Sequence, residues 1–282
     1  MASKETLYFI KEHLDDNIRQ LALKAYGKEN IDLPYALDQI AGFQTARRKL
    51  PSWAKVEGIV FPPHISMEQC SSEVTALYKS SLLDTDSRSM TKEKQLIDLT
   101  GGFGVDFSFL AKSFSKATYV ERHSHLCDIA RENFARLGLG NTEVVCADSV
   151  AFLNTVSHVS LIYLDPARRD NQGARTFAIA DCTPDVVSIR DKLLAQADKV
   201  VIEPSPMHDW RKAVADLGTA NVSQVHIVSV DNECKELLVI MSGRQTDEVE
   251  VCCANIITTS HPHSALPSEA TPRQHYLYEP NA

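Results

Sequence analysis

Acidic and glycine residues gather in one short stretch of the chain, with a spacing typical of a site for a nucleotide-like ligand. An apolar run ends in Asp98, and an amphipathic segment begins a few residues later. Between them the turn contains Thr100, Gly101, Gly102 and Gly104. Glycines adopt torsions that other residues resist, so this order predicts a strand, a tight turn against which a ligand can lie, and a helix. The next predicted strand ends in Glu121, placed to hydrogen-bond ribose hydroxyl groups beside the turn.

Alternating strands and helices follow from Gln95 onward. The predicted strands are 95–99, 117–121, 142–146, 160–164, 198–203, 223–230 and 235–242, and the helices are 105–114, 124–137, 148–155, 184–195 and 207–216. Strands separated by helices predict βαβ units and a mainly parallel sheet. Only Asp231–Cys234 separates the last two strands, so we expect an antiparallel hairpin there. The fold class is therefore α/β, with seven strands and the last one antiparallel.

The flanking regions differ in texture and predict three domains. Residues 1–90 are interpreted as a helical N-terminal domain, with a helix at 32–44 and another at 67–83 that Ser66 caps. Residues 91–243 form the α/β domain. Residues 244–282 alternate briefly and then become rich in Ser, Pro and His, which predicts a linker and the start of a truncated C-terminal domain.

Composition excludes some classes of function and leaves others open. The 282 residues carry a net charge of −8, which argues against a surface that is basic throughout but allows a local basic groove. No apolar run approaches the roughly 20 residues of a membrane helix, and the N-terminus has no signal-peptide core. Seven cysteines without a CxxC pair and ten scattered histidines predict a cytoplasmic protein with reduced thiols and no metal site, with zinc binding or disulfides as the alternatives for the cysteines.

Polar residues end five successive strands, and open parallel sheets bind ligands at these ends. In chain order they are Asp98 and Thr100, Glu121 and Arg122, Asp148 and Ser149, Asp165 in the sequence DPARRD, and Glu203 in EPSP. For Asp148 a helix N-cap is an alternative that the sequence leaves open.

The glycine turn alone does not identify the ligand, since nicotinamide, flavin and methyl-donor enzymes share it. Three features favour a methyl donor. Asp98, at the strand end, is placed to hold an ammonium group or to order water under the ligand. Asp106 lies at the helix N-terminus, where its charge would repel a pyrophosphate. The closing antiparallel hairpin is foreign to the six-stranded dinucleotide fold.

On these residues, the stretch 95–242 resembles a class I S-adenosylmethionine-dependent methyltransferase with a seven-stranded Rossmann-like sheet. Asp98, Gly102 and Gly104 match the first motif of that family, and Thr100 stands where its first glycine is usual. The resemblance implies that Glu121 binds the ribose and that Asp148 and Ser149 lie along the adenine. The full set of cofactor-binding residues that it implies is Asp98, Thr100, Gly101, Gly102, Gly104, Glu121, Arg122, Asp148 and Ser149.

A wider resemblance covers nearly the whole chain. The segments SMEQCSSEVTALYK (66–79), DLTGGFGVD, LDPARRD and the terminal YEPN are similar to those of a bacterial family. Its members join a helical N-terminus, a methyltransferase domain and a C-terminal THUMP-like domain. THUMP-type domains bind RNA, so the resemblance implies tRNA or rRNA as the substrate.

The DPARR sequence begins the substrate-side motif in this interpretation. We expect Asp165 to accept a hydrogen bond from the target amine or hydroxyl, with Pro166 fixing the turn. Arg168 and Arg169 would bind a substrate phosphate, or alternatively pair with Asp170 or a neighbouring acid. A nucleophilic Cys182 is a less convincing alternative, since no proline-cysteine motif surrounds it.

A basic cluster in the helical region offers a second candidate contact with RNA. Arg47, Arg48 and Lys49 precede Trp53, a pattern of positive charge beside an aromatic residue. A solvated helix end explains the same residues. Three classes of function stay open: an RNA methyltransferase, a methyltransferase of a protein or small molecule, and a non-catalytic binding module. The oligomeric state is not predicted.

Overall fold

The structure, a computed structural model, describes residues 2–24, 30–83, 93–168 and 179–258. The chain forms two compact units, Met1–Asn154 and Thr155–Ala282. In the described ranges, no helix has the length and apolarity needed to cross a membrane.

The first unit opens with helices. They are α1 (Lys4–Glu12), α2 (Ile18–Lys24), α3 (Leu33–Lys49), α4 (Pro51–Ala54), α5 (His64–Gln69) and α6 (Glu73–Leu83). The single helix predicted over 67–83 is wrong, because Cys70 is extended and ends α5. Ser72 then begins α6, where its hydroxyl accepts a hydrogen bond from the Thr75 N–H at 3.3 Å. Local side-chain capping thus breaks a stretch whose apolar spacing is continuous.

Three parallel strands follow in the same unit. They are β1 (Gln95–Asp98), β2 (Lys116–Glu121) and β3 (Thr142–Cys146), with β2 between the other two. The helices after them are α7 (Val105–Leu110), α8 (Ser124–Arg136) and α9 (Ser149–Leu153). The parallel register brings the carboxyl ends of the three strands to one edge.

An apolar core joins the helical N-terminal region to the glycine turn. Trp53 is 1% exposed, and its ring centroid lies 5.0 Å from that of Phe103, which belongs to the turn itself. The cluster also contains Leu50, Phe61, Met67, Val105 and Phe109. The N-terminal helices therefore pack against the glycine turn through apolar side chains.

The second unit holds the remaining strands. They are β4 (Val159–Leu164), β5 (Ala167–Arg168), β6 (Cys182–Thr183), β7 (Ala197–Ile202), β8 (Val222–Val230), β9 (Glu233–Met241) and β10 (Glu250–Ile256), with α10 (Val186–Gln196) and α11 (Trp210–Leu217) among them. β4 and β7 are parallel, whereas β9 is antiparallel to both β7 and β8. The predicted hairpin is present, and its turn residues Asp231 and Asn232 have the positive φ that such turns need.

The main sheet has eight strands rather than the seven predicted, and most of its pairs are parallel. The eighth strand, β10, lies in the predicted linker and pairs in parallel with β8. The last strand is therefore parallel to its neighbour, and the antiparallel one precedes it. The alternation at Val249, Val251 and Cys253 is a strand signal, but local sequence does not reveal a partner 26 residues upstream.

Candidate ligand-binding site

The glycine turn leaves its backbone open on one side. Gly102 and Gly104 have φ values of +54° and +84°, in the left-handed region that favours glycine. A Cβ on Gly101 would lie 2.1 Å from the Tyr119 ring, so a larger residue does not fit there. A Cβ on Gly102 would meet only the Thr100 carbonyl oxygen, at 3.7 Å. The space beside Gly102 is thus available for a ligand to approach the main chain.

Glu121 is fixed beside this turn by N–H groups. The Gly102 N–H donates to its Oε2 at 3.1 Å, and the His123 N–H donates to its Oε1 at 2.8 Å. The His123 Nδ1 lies 2.5 Å from the same Oε1. Glu121 remains 9% exposed, whereas the neighbouring Arg122 side chain is exposed. A carboxylate held in this way is preorganised to accept ligand hydroxyl groups.

Asp98 provides a second acid under the turn. It is 2% exposed, and its Oδ1 accepts hydrogen bonds from the Thr100 N–H at 2.9 Å and the Thr100 hydroxyl at 3.4 Å. Burial raises the pKa of Asp98 to about 7, the Thr100 N–H opposes part of that rise, and the charges of Asp106 and Glu121 add to it. Thr100, which stands where the first glycine of the motif is usual, therefore hydrogen-bonds to Asp98, the acid of the same motif.

Tyr119 supports the turn, a role that the sequence analysis missed. Its hydroxyl donates to the Gly102 carbonyl oxygen at 2.5 Å, and its side chain is fully buried. The ring packs edge-on against Phe107 and Phe134 at centroid distances of 5.6 and 5.4 Å. Its position two residues before Glu121, on the same side of the strand, is the signal that could have identified it.

Asp106 does not have the role that the sequence predicted. The Lys79 Nζ lies 2.9 Å from its Oδ1, and the Ser71 hydroxyl donates to its Oδ2 at 2.7 Å. Lys79 is 1% exposed and belongs to α6, so the pair joins α6 to α7. Because Lys79 offsets this charge, Asp106 is a weaker source of repulsion for a pyrophosphate than the sequence indicated. Glu121, together with Asp98 above about pH 7, supplies negative charge beside the turn.

The two predicted residues after β3 have different partners. The Asp148 carboxylate caps α9 by accepting hydrogen bonds from the N–H groups of Val150 and Ala151 at 3.0 and 2.9 Å. This is the N-cap alternative that the sequence left open. The Ser149 hydroxyl donates to the Leu99 carbonyl oxygen at 2.6 Å, which ties this loop to the end of β1.

The DPARR residues follow β4 in the second unit. Asp165 is exposed and Pro166 is buried. The backbone of Arg168 pairs with Cys182 in the short β5–β6 ladder. The Arg168 side chain, Arg169 and Asp170 lie outside the described residues. Cys182 is 3% exposed, which disfavours it as a nucleophile.

The basic cluster is largely structural. Arg47 pairs with Asp15, and the Lys49 Nζ donates to the carbonyl oxygens of Met67 and Glu68 at 2.9 and 2.8 Å. Trp53 is buried in the core described above, so it cannot stack on a base, and that prediction was wrong. Among the described residues, no group of three or more His, Cys, Asp or Glu side chains could hold a metal ion.

The described geometry fits a ligand that carries both a ribose and a cationic group. Glu121 provides an oriented acceptor, Asp98 provides a buried acid, and Gly102 provides an open approach to the main chain. S-adenosylmethionine has these groups, since its sulfur and its amine are both positively charged. A pyrophosphate, in contrast, would be repelled by the Glu121 carboxylate, and by Asp98 where that acid is ionised.

Comparison with solved structures gives a close match in fold. A protein of Porphyromonas gingivalis described as a "putative methyltransferase" is 31% identical, with a TM-score of 0.70 over 87% of this chain. This chain spans 60% of the length of that protein. The sheet is thus the α/β, Rossmann-like sheet of a methyltransferase fold.

More distant structures share part of the fold. A SAM-dependent methyltransferase from Agrobacterium tumefaciens is 16% identical over 66% of this chain and 65% of its own, with a TM-score of 0.48. A "putative RNA methyltransferase" from Pyrococcus horikoshii is 15% identical over 72% and 98%, with a TM-score of 0.47. Likenesses at this level carry no inference about function. Neither protein-family models nor curated protein sequences gave a match.

Proposed function

We propose that this chain is an S-adenosylmethionine-dependent methyltransferase whose methyl donor binds at the glycine turn. The observation that carries the proposal is the contact between Glu121 and the Gly102 N–H, which fixes a ribose acceptor beside an open stretch of backbone. When bound, S-adenosylmethionine supplies an electrophilic methyl group on a cationic sulfur. The acidic side chains beside the turn, Asp98 and Glu121, attract that positive charge.

Each predicted residue has a part in this proposal. Glu121 accepts hydrogen bonds from the ribose hydroxyls, and ionised Asp98 attracts the ammonium of the methionine moiety. Gly101, Gly102 and Gly104 keep the backbone close to the ligand, with Thr100 orienting Asp98. Asp148 and Ser149 lie along the adenine, although Asp148 also caps α9, and Arg122 completes the set of donor-binding residues.

For the substrate we propose RNA, either tRNA or rRNA. Support comes from the resemblance of this chain, its LDPARRD segment included, to bacterial proteins that carry a THUMP-like domain. Asp165 accepts a hydrogen bond from the target group, and the ring of Pro166 limits the freedom of the turn. Arg168 and Arg169 would bind a backbone phosphate. The acidic net charge of −8 favours the second candidate, a methyltransferase of proteins or small molecules.

The test is methyl transfer from labelled S-adenosylmethionine to bulk tRNA and rRNA. We expect the parent chain to label RNA and Asp165→Ala to lose roughly 100-fold or more of that rate. Asp198→Asn is the matched control, since Asp198 is an exposed acid at the opposite end of β7 that pairs with His158. Labelling of proteins or metabolites without RNA would support the second candidate. Donor binding without labelling of any extract component would indicate a binding module.

A further inference from the structure

The sequence EPSP after β7 contains a mostly buried acid to which the proposed function gives no part. Glu203 is 9% exposed, and the Tyr163 hydroxyl donates a hydrogen bond to its Oε2. Tyr163 is itself 1% exposed and lies in β4. A buried tyrosine that donates to a carboxylate restricts the rotation of that carboxylate.

The strand register brings Glu203 beside Asp165. Tyr163 pairs with Val201 and Leu164 pairs with Ile202, so Asp165 and Glu203 are the next partners along the two parallel strands. The Glu203 N–H donates to the Leu164 carbonyl oxygen at 2.8 Å, which extends the ladder to this point. Adjacent strands lie about 4.8 Å apart, so the backbones of the two acids are neighbours.

Alternation assigns these side chains to one face of the sheet. Glu203 follows Val201 by two residues, and its contact with Tyr163 shows that it lies on the Tyr163 side. On the neighbouring strands, Leu238 and Glu236 of β9 and His226 of β8 share that face by register. Two acids of unequal exposure thus end two adjacent strands, Asp165 exposed and Glu203 largely covered.

We propose that Glu203 is a second catalytic carboxylate, which takes the proton that the methylated target releases while Asp165 holds the target in place. This inference rests on the proposed function. After methylation the target nitrogen or oxygen has one proton too many and a positive charge. Its N–H or O–H bond breaks, the proton passes to the Glu203 carboxylate, and the electron pair stays on the target atom, which becomes neutral. Tyr163 is a positioning residue that orients Glu203.

The experiment measures single-turnover methylation of total bacterial cell extract with labelled S-adenosylmethionine between pH 6 and pH 9. We expect Glu203→Gln to lower the rate about 100-fold and to remove the loss of rate on the acidic side of the pH profile. Tyr163→Phe should lower the rate about tenfold and shift that acidic limb, since a hydrogen bond to a charged group is lost. Calorimetry should show that donor affinity is within twofold of the parent value in both variants.

Three outcomes would overturn the inference. Glu203→Gln with the parent's rate and pH profile would refute it and leave the proposed function intact. Equal losses in Glu203→Gln and in the control Asp198→Asn would show a general structural effect. A parent chain that binds the donor and labels nothing would remove the catalytic role, whereas a parent chain that does not bind the donor would contradict the proposed function itself. Thermal unfolding checks that Glu203→Gln folds, and Glu203→Asp, which keeps the carboxylate, should recover part of the rate.

Discussion

The acids around the glycine turn differ in the groups that bind their carboxylates. Asp98 and Glu121 are held by N–H groups of the turn and of the following loop. Asp106 is held by the ammonium group of Lys79 and the hydroxyl of Ser71. N–H groups orient a carboxylate without bringing a formal positive charge, whereas a buried lysine offsets the charge of its partner. The first arrangement suits a cationic ligand, and the second fastens α6 to α7.

The largest expected effect comes from breaking the Lys79–Asp106 pair. We expect Lys79→Met to lower the free energy of unfolding by about 3–5 kcal/mol, because it leaves Asp106 without its charge partner in a mostly buried place. Urea denaturation measures this change. The double variant Lys79→Met with Asp106→Leu should recover most of the loss. A single variant as stable as the parent would show that the pair does not fasten the two helices.

Glu121→Ala tests the other side of the comparison. We expect the affinity for S-adenosylmethionine to fall about 10- to 100-fold, the value of hydrogen bonds to a charged group. Calorimetric titration provides the measurement. Glu143→Gln is the control, since Glu143 is an exposed acid of β3 paired with Lys116. Unchanged affinity in Glu121→Ala would remove Glu121 from the donor site.

Asp98 predicts a dependence on pH. Its pKa is raised from 3.8 to about 7 in the folded chain, so its contribution to stability is complete below pH 3.8 and is lost as the pH rises through 7. The stability of Asp98→Asn relative to the parent should therefore increase as the pH rises from 5 to 8. Urea denaturation at each pH measures this difference.

The same residue should couple pH to ligand binding. Donor affinity in the parent should rise by up to about tenfold from pH 6 to pH 8, because a cation binds the ionised acid, and Asp98→Asn should lose this rise. Parallel affinity curves for the two proteins would contradict the assigned role.

Arg47→Ala should have the smallest effect. The pair that Arg47 forms with Asp15 is largely exposed, so we expect less than about 1 kcal/mol of change in the free energy of unfolding. Urea denaturation in low and high salt measures it. If Arg47→Ala lowered the free energy of unfolding as much as Lys79→Met, solvent exposure would not determine how much each ion pair contributes to stability.

The sequence predicted the elements whose signals are local. The seven strands from β1 to β9, apart from the short β5–β6 ladder, and the Asp231–Asn232 hairpin lie within about two residues of their predicted positions, because alternation and turn chemistry act over a few residues. The contact of the glycine turn with Glu121 also agrees with the spacing that predicted it. The functional roles of the site residues stay predictions.

What the sequence did not reveal depends on partners far along the chain. β10 pairs with β8, Lys79 forms an ion pair with Asp106, and the Trp53 ring packs against Phe103. Trp53 looked like a surface aromatic because its sequence neighbours are basic, and only the packing of the N-terminal helices on the turn reveals its burial. The domain boundaries at 90 and 243 stay predictions.

The central claim is that the acid-lined turn selects a cationic adenosyl ligand. The most direct test titrates S-adenosylmethionine and NAD separately into the parent chain at pH 8 by calorimetry. The account predicts saturable binding of S-adenosylmethionine and binding of NAD that is at least about tenfold weaker, since two carboxylates face the pyrophosphate. Tighter binding of NAD than of S-adenosylmethionine would contradict it.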